Sequence, residues 1–305
     1  MTVFRINLTQ KMILIFTVVL FLFFVLLGAR LRGILEKQMT DNANTLIRTT
    51  TLEEKRLIDT HFTEIEKIGE ASSEYFEMLI RYGLSREEDP LFDQKYIMTN
   101  GALRTNPSAF PKSDISGVFV SSRTKLSTND RKIISAMELY FSSYSKGIRN
   151  SVFNNYFISR DQFIRIYPPK WAMEVESDHD FTKDIFFTPA DPENNPDRKP
   201  VWTPVYYDSI WKTWMTSLLV PVYINDEFMG IIGHDLELSA IYKTIICKKH
   251  YNSGYGFIFD SKENIIMHPA YMGKLQASGQ TMGQRLALAK LENDKIKRAV
   301  EKASR

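Results

Sequence analysis

An uninterrupted apolar run, residues 12–29 (MILIFTVVLFLFFVLLGA), constrains this chain more than any other feature. It holds no charged residue. At 1.5 Å rise per residue it spans most of a hydrocarbon core roughly 30 Å thick. It is too long for the core of a typical secretory signal, and Gly28-Ala29-Arg30 is a poor match to a small-x-small cleavage site. The sequence therefore predicts an uncleaved transmembrane helix over 12–29, preceded by a short terminus, 1–11. Arg5 and Lys11 flank its start and Arg30 and Arg32 its end, so charge alone does not orient it.

Residues 30–82 continue without proline, and apolar side chains recur at Leu35, Met39, Leu46, Leu57, Phe62, Ile65, Ile68, Tyr75 and Leu79. Most gaps are three, four or seven, the signature of a helix of about 50 residues and about 75 Å. Such a stalk either lies along its own domain or pairs with its copy in a homodimer, and the two are compatible. Gly83 is placed to cap its end.

Beyond residue 83 the periodicity changes. Residues 114–121 and 162–167 read as strands, and 130–147 as a helix ending at Gly147. The stretch 168–200 is rich in Pro, Asp and Asn and predicts a long surface loop of the kind that often binds something. Strands over 214–223 and 227–236 form a hairpin about Asn225-Asp226. A connecting helix follows over 237–249, then a second hairpin over 255–268 and an amphipathic helix over 284–305. The second hairpin has too few partners for a stable sheet, so 251–305 reads as the start of a second module, and the chain as part of a longer receptor.

Asp235 ends an apolar strand face made by Met229, Ile231 and Gly233. A carboxylate there is costly unless something meets it. Either it caps a helix starting near Leu236, or it meets a cationic ligand group in space left by Gly233. In an extended chain Trp202, Pro204, Tyr206 and Asp208 face one way, which offers a second carboxylate beside aromatic faces suited to a cation. His234 alternates with Asp235 and belongs to the opposite sheet face.

Several classes are excluded. A net charge of +3 with no long basic run argues against nucleic acid. One cysteine, Cys247, rules out an internal disulfide. The five histidines lack metal-ligand spacing, and the acidic loop around Asp178, Asp180 and Asp184 lacks calcium-loop spacing. No phosphate-binding or nucleophile motif occurs. We therefore expect no catalytic constellation, no metal and no cofactor.

The order of anchor, long helix, antiparallel sheet, connecting helix and second small sheet resembles the double Cache (dCache) extracytoplasmic sensor domains of chemoreceptors, sensor histidine kinases and membrane diguanylate cyclases. Two stretches carry the likeness: WTPVYYDSIWKTWMTSLLVPVYINDEFMGIIGHD at 202–235, and GYGFIFD at 254–260 running on to His268-Pro269. The resemblance implies an α+β fold, with an N-terminal transmembrane helix, a stalk helix, an antiparallel-sheet Cache (PAS-like) distal module over 83–250 and the start of an incomplete proximal module. It implies a periplasmic or extracellular sensor held in the bacterial cell membrane, binding a small ligand and relaying to an output domain. Tyr206, Asp208 and Asp235 match the positions that hold an amino-acid ligand's ammonium group. The family's Arg-x-Trp, which holds the carboxylate, is missing from 180–187. Arg165 and Lys183 are substitutes or simply solvated charges. The expected ligand is thus a small amine or amino-acid-like metabolite, with Trp202, Arg165, Tyr167 and Phe186 completing the expected site. The competing reading is a membrane-anchored adaptor without a small-molecule ligand.

Overall fold

The computed structural model describes residues 7–111, 115–241, 256–259 and 265–267. The chain divides into two compact units, Met1–Asp59 and Thr60–Arg305. A single helix, α1 (Leu8–Ser85), begins in the first and ends in the second. In the first unit its side chains from Met12 to Leu27 are exposed, and α1 is the one described helix long and apolar enough to cross a membrane.

The second unit is built on an antiparallel sheet. Its strands are β1 (Tyr96–Thr99), β2 (Ala102–Thr105), β3 (Gly117–Val120), β4 (Asn154–Ser159), β5 (Phe163–Tyr167), β6 (Val201–Trp202), β7 (Tyr206–Asp208), β8 (Thr213–Ile224) and β9 (Glu227–Glu237). The order is β1-β2-β3-β5-β4-β9-β8-β6, with β7 also pairing β8. Asn225 and Asp226, both at positive φ, close the β8–β9 hairpin in two residues, the geometry that matches strand twist. Helix α2 (Phe92–Lys95) leads into β1, and α3 (Thr128–Ala136) is opened by a capping box between Ser127 and Asp130. The helix expected over 130–147 is broken. After Ala136 the chain widens into a π-helical turn at Tyr140–Tyr144 and closes with α4 (Ser145–Gly147).

Each sheet face has its own core. On one face α1 buries Ile65, Gly69, Ser72, Phe76, Leu79, Ile80 and Gly83, spaced by three and four. Phe76, Leu79 and Ile80 pack with Phe157, Phe163, Ile232 and the aromatic π-turn. On the other face the segment 168–200 folds back over the sheet through α5 (Lys170–Glu174) and two short 3-10 turns. It is a cover more than a solvent loop, because Trp171, Phe181, Phe187 and Ala190 are buried against Phe119, Tyr156 and Ile164.

Gly83 is a correction. α1 runs on to Ser85, and Gly83 lies inside it, where a Cβ would meet the Ala136 Cβ at 2.8 Å. It permits close packing on α3 and does not cap the helix. At the other end, α6 (Leu238–Ile241) begins the connecting helix, and β10 (Ile258–Phe259) pairs antiparallel with β11 (Ile265–Met267). The turn of that hairpin, Cys247, the rest of the connecting helix and the helix expected over 284–305 lie outside the described residues.

Candidate functional site

Register places the site on the face under the cover. Asn154 pairs with Asp235, and Asp235 with Ser217, across β4, β9 and β8. Their side chains meet there. The Ser217 hydroxyl donates to Asp235 Oδ1 at 2.6 Å, and Asn154 Nδ2 donates to Oδ2 at 2.7 Å. The Tyr206 hydroxyl lies 2.9 Å from Ser217 Oγ. Asp208, at the end of β7, holds the turn that follows, accepting from the backbone N–H groups of Ile210 and Trp211 at 2.8 and 2.7 Å. Asp208 and Asp235 line one small cavity with Tyr156, Tyr206, Trp171 and Phe186. Phe186 is its aromatic hinge point, with ring centroids 5.8 Å from Trp171, 6.0 Å from Tyr206 and 6.2 Å from Tyr156.

Asp235 does not cap a helix, because β9 continues through it to Glu237 and its oxygens are taken by Ser217 and Asn154. Gly233 leaves space, but for protein and not for ligand. A Cβ there would lie 2.0 Å from Tyr156 Cζ, so the glycine seats the Tyr156 ring against the sheet. The cavity is about 10 Å³, which is about the space of a single water probe. The site is closed by Trp171, Phe186 and Tyr156.

The electrostatics are those of carboxylates short of cations. Burial pushes Asp235 up to about 6, with Asp208 adding repulsion and Ser217 and Asn154 pulling the other way. Burial also raises Asp208, opposed by its two backbone N–H bonds and by Lys170. Asp184, hydrogen-bonded to His179 at 2.7 Å, is raised by burial and again by Asp180 and Asp208. Among the described residues no lysine or arginine forms an ion pair with Asp208 or Asp235. Lys170 donates instead to the Ile210 carbonyl at 2.8 Å and sits 4.9 Å from the Trp211 ring.

Four residues expected at the site are brought together there: Tyr206, Asp208, Asp235 and Phe186. Three are not. Arg165 lies fully buried on the helix face of the sheet, bonded to Ser116 Oγ and the Tyr96 hydroxyl, both at 3.0 Å, and to the Ile134 carbonyl. Tyr167 packs on that same face. Trp202 breaks the alternation with Tyr206, because β6 ends at it and Pro204 interrupts the ladder. Its indole lies tilted against Phe62, 4.7 Å between ring centroids, and donates to Glu66 at 2.9 Å. Lys183, the other substitute cation, pairs with Asp180 at 3.0 Å on the surface. Sequence reasoning missed Tyr156, Trp171, Asn154 and Ser217. Tyr156 enters by register, opposite Gly233 across β4 and β9, a pairing that the sequence does not reveal.

Residues 122–243, which contain β4 to β9 and both carboxylates, match the family described as methyl-accepting chemotaxis protein-like, first PDC sensor domain. Over these residues the chain is similar to that sensor-domain family. The Bacillus subtilis (strain 168) methyl-accepting chemotaxis protein McpC is 28% identical over 82 residues, which is 27% of this chain and 12% of that protein. The sensor module also resembles the ligand-binding domain of Mlp24 with asparagine, at 24% identity and a TM-score of 0.35 over 48% of this chain and 57% of that one. A further similar structure is the ligand-binding domain of the Pseudomonas fluorescens chemoreceptor CtaA with L-leucine, at 18% identity and a TM-score of 0.36 over 47% and 56% of the two chains. The chain thus spans about an eighth of its curated relative and about half of these solved domains.

Proposed function

We propose that this chain is the sensing part of a membrane-anchored chemoreceptor, and that the sensor module binds a small amine or amino-acid-like metabolite outside the membrane through Asp208 and Asp235. One observation carries the ligand class. Two buried carboxylates face one cavity, and among the described residues neither has an ion-pair partner, Lys170 acting on Asp208 only from outside ion-pair distance. An ammonium group there would make charge-assisted hydrogen bonds contributing about 1.5–3 kcal/mol each. Tyr156 supports the reading, since its buried hydroxyl lines the same cavity beside Asp235. Binding requires the cover to open, with Trp171 and Phe186 moving off the sheet, in the manner of loops that close over their ligands. The Cache likeness supports a sensor without chemistry of its own, placed on the periplasmic or extracellular side of the bacterial cell membrane, dimeric through α1, and relaying to an output domain.

A thermal-shift screen of amines, amino acids and carboxylates tests the class. Amine-bearing compounds at 100 times their dissociation constant should stabilise the protein by about 2.7 kcal/mol. Stabilisation by amine-free carboxylates alone would exclude this reading. A second reading, a protein-docking adaptor, is favoured by an open groove of about 550 Å³ whose lining includes Tyr75, Met78, Tyr82 and Leu139, three of them well exposed. A silent screen together with loss of a partner on Met78→Asp and Leu139→Asp would support it.

A further inference from the structure

The carboxylate site has a hard-wired back side. Asn154, which holds Asp235, is followed in β4 by Asn155, whose side chain emerges on the opposite face of the sheet. There Asn155 Nδ2 donates to the Tyr140 hydroxyl at 2.7 Å, and that hydroxyl lies 3.1 Å from Ser72 Oγ on α1. On β9 the same step leads from Asp235 to His234, directly opposite Asn155 in register. Leu218, opposite His234 on β8, marks the closest approach of α1, where a Cβ on Gly69 would fall 2.6 Å from Leu218 Cδ2 and 3.7 Å from His234 Cδ2.

This junction is buried yet under-bonded. Both ring nitrogens of His234 and the Oδ1 atoms of Asn154 and Asn155 have no hydrogen-bond partner. Buried polar groups are normally paired, and leaving one unpaired costs free energy. Opposed side chains in an antiparallel pair have Cβ atoms about 4.5–5.5 Å apart, so a small rotation would let a His234 N–H donate to Asn155 Oδ1. The junction therefore has unused donors and acceptors on both side chains, and a second arrangement that uses them is what coupling between sites requires.

We propose that the Asn155–His234 pair is a two-position link that carries the charge state of Asp235 through Tyr140 and Ser72 to α1 at Gly69–Phe76. Neutralising Asp235, by a bound ammonium or by substitution, weakens its hold on Asn154 and moves β4 against β9. The Asn155 side chain then turns so that its Oδ1 accepts from His234 and its Nδ2 draws away from the Tyr140 hydroxyl, and α1 loses a tether. The link rests on the Cache fold and on Asp235, and its test needs no ligand, so it stands or falls apart from the amine assignment.

The experiment is a double-mutant cycle read by amide hydrogen exchange on the full 305-residue chain in detergent or nanodiscs. Asp235→Asn should speed exchange across Gly69–Phe76 by at least about twofold. In the Tyr140→Phe background, which keeps the ring and removes the hydroxyl, Asp235→Asn should add nothing further. Ser72→Ala, a small change at the other end of the chain, should reproduce Tyr140→Phe. Faster exchange confined to β8 and β9, or an equal helix response with and without the Tyr140 hydroxyl, would overturn the link.

Discussion

The two faces of the central sheet bury charge in opposite ways. On the helix face Arg165 and His234 are both fully buried. Arg165 donates to neutral acceptors, Ser116, Tyr96 and the Ile134 carbonyl, while burial lowers His234 to about 3, so that it is neutral. That face is tightly packed against α1, with aromatic rings of Phe76, Tyr140 and Phe157 in contact. Under the cover the charges are carboxylates, bonded to hydroxyls and amides but without a paired cation among the described residues. The first face is closed by α1, although Asn155 and His234 keep unpaired atoms there, and the second holds two buried carboxylates with no ion-pair partner among the described residues. Burial alone does not mark a binding site. What singles out the candidate here is buried negative charge that lines a cavity and has no ion-pair partner among the described residues.

The contrast predicts a separation of effects. The largest is on the helix face. Arg165→Ala should lower the unfolding free energy by about 3 kcal/mol or more, through a cavity and stranded acceptors, while leaving amine affinity within about twofold of wild type in whatever fraction stays folded. Denaturant titration and calorimetric binding check the two halves. On the site face the order reverses. Asp208→Asn should cost about 1.5–3 kcal/mol of amine binding, roughly 10- to 150-fold in affinity, with stability little changed. An Arg165→Ala protein that folds but no longer binds would erase the distinction.

Acidity sharpens it further. Asp235 is raised to about 6 in the fold, so the stability it contributes is present in its protonated form at low pH and is lost as pH rises through about 6. His234 is lowered to about 3, so its contribution is present above its ordinary range near 6.5 and is lost as pH falls. Between pH 7 and 5 the two faces oppose each other. His234→Phe should therefore gain about 1–2 kcal/mol on acidification from pH 7 to 5 relative to wild type, read by thermal unfolding. The smallest expected effect is at Trp202. Trp202→Ala removes an indole that touches Phe62 and Glu66 away from the cavity, and should change amine affinity less than about twofold and stability by about 1 kcal/mol or less.

Much of this was legible in the chain itself. The anchor, the stalk periodicity and the β8–β9 hairpin are strong local patterns, and the two-residue turn at Asn225-Asp226 requires the positive φ those residues tolerate. Four-residue strands such as β1 and β2 carry too little alternation to stand out, and β4 hides behind Asn154 and Asn155, polar residues buried for their hydrogen bonds. Asp208 and Asp235 could be singled out because a carboxylate beside aromatic or apolar neighbours is expensive wherever it lands. Arg165 could not be sorted, since a lone arginine in a strand reads the same whether it faces a ligand or a serine. Tyr156 and Trp171 enter the site only through register and through the folding back of the cover, which are long-range facts.

The most direct measurement is calorimetric titration of an amine that stabilises the wild-type chain, repeated on Asp235→Asn and across pH 5 to 8. The account predicts affinity that is level above pH 7 and falls about tenfold per pH unit well below 6 as the carboxylate takes up its proton, and at least tenfold weaker binding to the variant, without the fall centred near pH 6. Equal affinity for Asp235→Asn, or binding that strengthens as the carboxylate is protonated, would contradict it.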